Sequence, residues 1–186
     1  RKGQEQGELQ LTDYGISGIP VFQLSRIAAY ALKEHKRVTV QIDFAPEYAY
    51  DEIETYLLEQ QKARKEQSVD ELLTGFLNKK LNLVLLKKCR IAGSQKSGSL
   101  QKKEIEQLAG LYKNYEVHII DTNPFLNAQV CAGGLAVEEV DEQMQVKKYP
   151  GLFVTGELLD VDGICGGYNL HWAFATGTIA GKAIRG

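Results

Sequence analysis

The residues of this chain that could hold a cofactor are concentrated in the stretch 156–170, where glycines and acidic side chains precede a helical pattern. A glycine lets the backbone approach a ligand closely, and a carboxylate accepts hydrogen bonds from sugar hydroxyls. The N-terminus of a helix presents free N–H groups and a partial positive charge. The candidate ligands in this stretch are Gly156, Glu157, Gly166, Gly167, Tyr168, Asn169 and Leu170.

These groups match what a flavin needs: acceptors for its ribityl hydroxyls, close backbone approach to the ring, and a positive dipole near the ring edge that gains charge on reduction. Glu157 would accept from the hydroxyls, and a helix beginning at Tyr168 would point its dipole at the ring. Two simpler interpretations stay open. Gly166-Gly167 could form a plain turn before a helix, and the carboxylates Glu157, Asp160 and Asp162 could be solvated loop residues.

A second glycine pair, Gly133-Gly134, follows a predicted strand over 129–131 and could approach the same ligand. Cys131 lies two residues before this pair, and Cys165 lies directly before Gly166. Neither cysteine has a resolving cysteine beside it, and together with Cys89 they have no metal-binding spacing. We therefore expect reduced thiols and no metal site, with redox chemistry at Cys131 or Cys165 as the alternative.

The elements that would position the stretch 156–170 are a short buried strand over 151–155 and a helix over 168–184. Small residues recur along this helix, which predicts that its backbone packs closely against a neighbour and is buried. They are Ala173, Ala175, Gly177, Ala180 and Gly181.

The N-terminal part predicts a sheet region crossed by one helix. A glycine-rich loop from Tyr14 opens this helix, with Pro20 in the first turn, where its missing N–H costs nothing. Alternation of apolar and polar residues over 38–44 then predicts a half-buried strand.

Residues 51–113 contain four helical patterns and no strand pattern, which predicts a helical subdomain with its own core. Ser68 and Glu71 form a capping box for the second helix, which we expect to continue to Leu77. A flexible loop is expected over 93–99. The predicted core positions are Ile53, Leu57, Leu58, Leu72, Leu73, Phe76, Leu77, Leu81, Val84, Leu85, Ile105, Leu108, Leu111 and Tyr112.

The strand pattern returns over 117–120, 129–131 and 136–137, and a hairpin-like segment follows over 140–149. The helical block is therefore predicted to be an insertion into a sheet-bearing structure. The sequence contains no GxGxxG motif for a dinucleotide.

Composition describes an ordinary globular protein of 186 residues, 44% hydrophobic and 25% charged, which excludes disordered and fibrous classes. No apolar run approaches the ~18 residues that a membrane span needs, so we expect a cytoplasmic protein with no membrane partner. The net charge of -2 gives no global attraction to nucleic acid.

One segment is nevertheless strongly basic, because no acidic residue occurs between positions 79 and 103. A solvated helix face is the expected interpretation, since aromatic interleaving and a nucleic-acid motif are absent. Binding to nucleic acid or to nucleotide phosphates is the alternative. The basic residues are Lys79, Lys80, Lys87, Lys88, Arg90, Lys96, Lys102 and Lys103.

Three long segments, 129–140, 150–163 and 166–177, resemble the BaiN/YhiN-like family of NAD(P)/FAD-dependent oxidoreductases. The loop from Thr12 to Gly18 is similar to that family's T-H-x-G-[LI]-S-G motif, with Asp13 where histidine is expected. The resemblance covers essentially the whole chain.

The resemblance implies an α/β (α+β) fold, with a β-barrel-type insert and helical subdomain followed by the C-terminal part of a two-dinucleotide-binding FAD domain. The implied segments are a partial barrel with a crossing helix (1–48), a helical subdomain (49–115), a returning barrel strand and linker (116–130) and an FAD-domain segment (131–186). Family chains begin with a Rossmann half whose GxGxxG holds the FAD pyrophosphate. This chain resembles the C-terminal half, and the N-terminal half is its implied partner.

The implied activity is hydride transfer through FAD, with NAD(P)H or a small reduced metabolite as donor and a small-molecule substrate. Gly156 and Glu157 look like the pair that meets the ribityl and phosphate region, and residues 167–170 look like the backbone at the isoalloxazine. Gly133 and Gly134 look like the family's glycine pair near the cofactor. Without the Rossmann half, we expect this chain to bind FAD poorly and to be inactive alone.

No general acid or base is assigned. Asp13 replaces the expected histidine, and His35 and His118 are expected to be structural or exposed, whereas His171 lies near the predicted ring position. The rival hypothesis is a cofactor-free interaction or nucleic-acid-binding module that uses the basic residues between 79 and 103.

Overall fold

The computed structural model describes residues 2–185, which form six α-helices and two two-stranded sheets. The strands are β1 (Gln10–Leu11), β2 (Ile16–Ser17), β3 (Val38–Ile42) and β4 (Tyr115–Ile119). The helices are α1 (Ile19–Lys33), α2 (Tyr50–Ala63), α3 (Val69–Leu72), α4 (Lys79–Cys89), α5 (Lys102–Lys113) and α6 (Tyr168–Arg185). This mixed content agrees with the α/β (α+β) prediction, while the FAD-domain continuation and the four segment boundaries stay predictions.

The chain divides into two compact units, one over Thr39–His118 and the other formed by the residues up to Val38 and from Ile119 onward. β1 and β2 pair antiparallel in one sheet, and β3 pairs with β4 in the other. Among the described helices, none combines the length and the apolar character that a membrane span requires.

The Thr39–His118 unit is built around the helical core that the sequence predicts. Helices α2 to α5 each bury one apolar face, and Tyr112 and Leu85 are fully enclosed. Val84 is the exception among the predicted core positions, because 50% of it is exposed. The shared core comprises Ala45, Ile53, Leu57, Val69, Leu72, Leu73, Leu85, Leu86, Ile91, Leu100, Ile105, Leu108, Ala109 and Tyr112.

The capping box at Ser68 forms as predicted, because Ser68 Oγ accepts from Glu71 N at 3.3 Å and Glu71 Oε2 accepts from Ser68 N at 2.8 Å. The helix that it opens is only one turn long, so the predicted continuation to Leu77 was wrong. Gly75 lies at φ +90°, outside the helical region, and this breaks the run.

The segment 93–99, expected to be a flexible loop, is held by backbone hydrogen bonds. Ser97 N donates to Gln67 O at 2.8 Å, Gly98 N to Lys65 O at 3.0 Å, and Val69 N to Gln95 O at 3.0 Å. Because Ser97 is also buried, the segment is a packed turn, and the expectation of flexibility was wrong.

In the other unit, α1 begins after Gly18 with Pro20 in its first turn, as predicted. The predicted strands over 129–131, 136–137 and 151–155 are absent. Gly151 turns the chain at φ +87°, and Phe153 makes only a single bridge to Gln145. One antiparallel bridge, Val140 to Val146, confirms the hairpin-like segment over 140–149, although no regular strand pair forms there.

Candidate functional site

The first turn of α6 offers unused hydrogen-bond donors. His171 N donates to Gly167 O at 2.9 Å, so Gly167 precedes the helix and His171 makes an intrahelical bond. The N–H groups of Tyr168, Asn169 and Leu170 have no partner within residues 2–185, as expected for a first helical turn. The positive end of an 18-residue helix therefore carries three donors that no described residue uses.

The side chain of Asn169 locks the loop that precedes α6. Its Oδ1 accepts from Gly163 N at 2.7 Å, and its Nδ2 donates to Gly163 O at 3.1 Å. The side-chain amide of Asn169 thus fixes the approach of the chain to the helix, while its backbone N–H remains free within the described chain.

The same loop is tied to α1 by two further contacts. Arg26 Nη1 lies 2.6 Å from Asp162 Oδ2, and Cys165 N donates to Gln23 Oε1 at 3.2 Å. The interpretation of Asp162 as a solvated carboxylate was wrong, because only 15% of its side chain is exposed, whereas Asp160 is exposed. Nothing in the sequence links these distant residues, so the pairs escaped prediction.

Gly166 and Gly167 lie at φ +131° and +91°, where residues with a side chain are strained. A Cβ at Gly167 would meet no atom within 4 Å, so open space adjoins the start of α6. This geometry suits both a plain turn and close approach of a ligand, and both interpretations stay open.

Gly156 is enclosed by α6. Its N–H donates to Thr176 Oγ1 at 3.0 Å, and its carbonyl accepts from Trp172 Nε1 at 3.2 Å. A Cβ at Gly156 would lie 3.3 Å from Ala173 Cβ, so the close approach that this glycine permits is an approach to the helix. Its contact with a cofactor stays a prediction.

The structure brings the two predicted glycine-containing segments together. Leu135 N donates to Leu158 O at 2.8 Å, and Asp160 N donates to Leu135 O at 2.8 Å. A Cβ at Gly134 would lie 2.5 Å from Leu158 O, so only glycine fits there. Gly133 beside it has open space around its Cβ position.

Glu157 belongs to the same junction. Its Oε1 accepts from Cys131 N at 2.7 Å, and the residue is otherwise exposed. The carboxylate is therefore accessible, but one of its oxygens already holds the segment that leads to Gly133.

The expectation that α6 is buried was wrong for the described chain, since its only buried residues are Thr176 and Ala180. One face is apolar and uncovered: 66% of Leu170, 74% of Phe174 and 66% of Ile184 are exposed. Gly177 and Gly181 lie on the same face, with nothing near their Cβ positions. We call this set of five residues the α6 apolar face.

The cysteines and histidines form no further site. None of the three cysteines is in a disulfide, and burial, together with Glu104, raises the pKa of Cys89. His35, His118 and His171 are exposed. Within residues 2–185, no cluster of three or more His, Cys, Asp and Glu side chains could hold a metal ion.

The eight basic residues between 79 and 103 are all exposed. Lys96 pairs with Glu66, and Lys102 lies 3.6 Å from Glu106. Lys88 Nζ lies 4.6 Å from the centre of the Tyr115 ring. The other five have no ion pair within the described chain; they are Lys79, Lys80, Lys87, Arg90 and Lys103.

Comparison with known proteins decides the family. The model of an HI0933-like protein barrel and H2TH domain matches residues 1–130, which is more than half of the chain. The chain belongs to this HI0933-like family. Membership confirms the resemblance to BaiN/YhiN-like proteins that the motifs indicate.

Curated proteins that are similar to the HI0933-like chain include a reductase and two synthases. It is 44% identical over 181 residues to a 3-dehydro-bile acid delta(4,6)-reductase from Clostridium scindens, covering 97% of this chain and 44% of the relative. It is 30% identical over 172 residues to a ribosomal RNA dihydrouridine synthase from Escherichia coli, covering 90% and 40%. The protein of the same name from Haemophilus influenzae is 26% identical over 170 residues, covering 91% and 40%. The chain thus spans less than half the length of these relatives.

Proposed function

We propose that the intact protein is an FAD-dependent oxidoreductase and that the first turn of α6 contacts the flavin. The observation that carries this proposal is the set of free N–H groups at Tyr168, Asn169 and Leu170, beside the open space at Gly167, in a chain of this family. These residues fit a flavin, because free donors and exposed apolar side chains suit its polar edge and its ring. A cytoplasmic location is part of the same proposal.

FAD would supply the redox centre, accepting and donating hydride through its ring, with NAD(P)H or a small reduced metabolite as the proposed donor. The chain contributes fixed electrostatics. The N–H groups and the helix dipole favour negative charge on a ligand at the start of α6. Asn169 and the Arg26–Asp162 pair hold the loop, so these donors keep their direction without a ligand.

Other predicted ligands have supporting roles in this proposal. The Leu135–Leu159 bridge joins Gly133 and Gly134 to the segment that contains Glu157. The exposed carboxylate of Glu157 can accept from a ribityl hydroxyl with the oxygen that Cys131 leaves free. Gly156 aligns this segment on α6.

An N-terminal Rossmann half is the proposed partner that completes the site. The α6 apolar face supports this part, because three large apolar side chains and two glycines are uncovered on one side of a helix. Uncovered apolar surface of this kind marks an interaction site. The chain alone is accordingly expected to retain little or no FAD.

The first candidate substrate is a small unsaturated ketone of the steroid type, since the relative with 44% identity is named a bile acid reductase. The second is a uridine in ribosomal RNA, after the names of the other two relatives. A specific observation favours keeping the second: between positions 79 and 103, six exposed cations without ion pairs to residues 2–185 could bind a polyanion.

The substitution Leu170→Glu in the intact protein tests the flavin contact. Glutamate at the third helical position suits the helix dipole, so α6 should persist, while the new carboxylate competes for the free N–H groups and repels an anionic ligand. We expect the dissociation constant for FAD to rise about tenfold or more, given charges separated by several ångströms at the surface. The isosteric control Leu170→Gln should retain near-parental affinity.

The measurement is flavin absorbance of the purified protein, followed by titration of FAD into the apoprotein. Equal FAD affinity in the Leu170→Glu and Leu170→Gln variants would refute the contact. Absence of FAD from the parental intact protein, with no binding on titration, would refute the function itself.

A further inference from the structure

We propose that the exposed cations of α4 and the start of α5 bind the phosphate backbone of RNA. This α4 basic surface consists of Lys79, Lys80, Lys87, Lys88, Arg90 and Lys103. The inference rests on the second substrate candidate, and it assigns the docking of that substrate to a unit separate from the candidate flavin site.

Helical geometry places the lysines of α4 on one side. Lys80 and Lys87 are seven residues apart, so they project from the same face about 10 Å apart along the axis. Lys79 and Lys88 flank that face. The opposite face is buried and is formed by Asn82, Leu85 and Leu86.

The packing of α4 against α5 adds Lys103 to this surface. Tyr112 near the end of α5 donates to Asn82 in the first half of α4 at 2.9 Å. At the other end, residues 90–101 join the end of α4 directly to the start of α5. The helices therefore run antiparallel, and the start of α5 lies beside the end of α4, where Lys87, Lys88 and Arg90 are found.

The positive charge of this surface is not neutralised within the described chain. Lys88 contacts the Tyr115 ring, which leaves its charge intact, and the other five members have no ion pair. Glu104, the acidic residue next to Lys103, caps α5 by accepting from Gln101 N at 2.8 Å and makes no ion pair within the described chain. With a net charge of -2 over 186 residues, the protein concentrates cations here while remaining acidic as a whole.

The surface fits a phosphate backbone better than a lipid bilayer. An interfacial helix inserts a continuous apolar face, but Leu85 and Leu86 of α4 are buried inside the unit. Only Leu83 and Val84, 43% and 50% exposed, lie among the lysines. The surface lacks stacked aromatic residues facing solvent, so it would position an RNA through its phosphates without reading its bases.

The test compares two double variants of the intact, full-length protein that have equal net charge. Lys80→Gln/Lys87→Gln removes two charges from the α4 basic surface. Lys33→Gln/Lys62→Gln removes two exposed charges from the ends of α1 and α2 as the control. The probe is a fluorescently labelled RNA hairpin, and binding is measured by anisotropy across a salt titration.

If Lys80 and Lys87 each neutralise one phosphate, their loss should weaken binding about 10- to 30-fold at physiological salt. The slope of log affinity against log salt should fall by about 1.4–1.8. The control variant should bind like the parent. Circular dichroism should show equal helix content in all three proteins, because these side chains make no contacts within the core.

Equal weakening in both double variants would overturn the proposal, as would absence of RNA binding by the parent. Vesicles containing phosphatidylserine serve as a second probe, and lysine-dependent binding to them without binding to RNA would also overturn it. FAD content is measured on the same samples. A protein that lacks FAD but binds RNA through these lysines would refute the flavin proposal and leave the RNA proposal standing. A protein that holds FAD but does not bind RNA through them would refute only the RNA proposal.

Discussion

The buried hydrogen bond between Tyr112 and Asn82 should govern how firmly α4 is held against α5. Tyr112 Oη donates to Asn82 Oδ1 at 2.9 Å, and Asn82 Nδ2 donates in turn to Leu73 O at 3.0 Å and Leu77 O at 3.3 Å. Both residues are buried, and the Tyr112 ring packs edge-on against Phe76. The substitution Tyr112→Phe keeps the ring contact and removes only the hydroxyl.

This substitution leaves Asn82 Oδ1 buried without a donor, which should lower the free energy of unfolding by about 1–3 kcal/mol. The hydroxyl of Tyr56 is a matched control, because it has no hydrogen-bond partner within the described chain while its ring also stacks on Phe76. Tyr56→Phe should change stability by less than about 0.5 kcal/mol. In an Asn82→Ala background, Tyr112→Phe should cost clearly less than it does alone.

Stability should also depend on alkaline pH through Tyr112. Burial, with smaller contributions from Cys89 and Tyr56, raises the pKa of Tyr112 above its ordinary value of 10.0. The unfolded chain therefore releases this proton at lower pH than the folded chain does. The contribution of Tyr112 is complete below about pH 10 and declines above it by up to about 1.4 kcal/mol per pH unit.

The assay is urea unfolding of the parent and the Tyr112→Phe variant from pH 7 to 11, followed by far-UV circular dichroism. The stability difference between the two proteins should be constant up to about pH 10 and should narrow above it. A difference below about 0.5 kcal/mol at pH 7, or one that stays constant through pH 11, would refute the reasoning.

Three further outcomes follow from single features. Gly134→Ala should destabilise the chain by more than about 2 kcal/mol in thermal unfolding, because its Cβ would lie 2.5 Å from Leu158 O, whereas Gly133→Ala should cost only about 1 kcal/mol of backbone strain. Hydrogen bonds from Ser68 lower the pKa of Glu71, so the stability that this cap contributes should be lost as pH falls below about 4.5. The Glu71→Gln variant keeps the cap without a titrating group, and its urea unfolding midpoint should therefore change less with acid than that of the parent. The 186-residue chain alone should purify without a stoichiometric flavin band, while the intact protein should carry one.

The helices could be predicted because their signals are local. The capping box at Ser68, the proline in the first turn of α1 and the apolar spacing in α2, α4 and α5 each act within a few residues. The predicted end of the second helix was wrong because Gly75 takes a positive φ, which no apolar periodicity reveals.

The region from 129 to 165 was harder because its structure depends on contacts between distant residues. The apolar run 152–154, for example, resembles a strand, yet only Phe153 makes a bridge and Leu152 faces solvent. For the candidate site, the sequence indicated the start of α6 and both glycine segments. It carried no signal for the Arg26–Asp162 pair. The hydrogen bond at Thr176 did have a signal, because a polar residue among the small residues of a helix indicates a buried hydrogen bond.

The enclosure of Gly156 by α6 makes its amide a reporter for the whole helix. Thr176 Oγ1 accepts from Gly156 N at 3.0 Å while donating to Trp172 O at 2.7 Å, so the amide cannot exchange with solvent unless this part of α6 withdraws. The segment 156–159 and α6 should therefore open as one cooperative unit in hydrogen exchange. A ligand that stabilises the first turn of α6 would slow exchange at the Gly156 amide, which is bonded to Thr176 two turns further along the helix. Hydrogen exchange would therefore detect binding even of a ligand that does not absorb visible light.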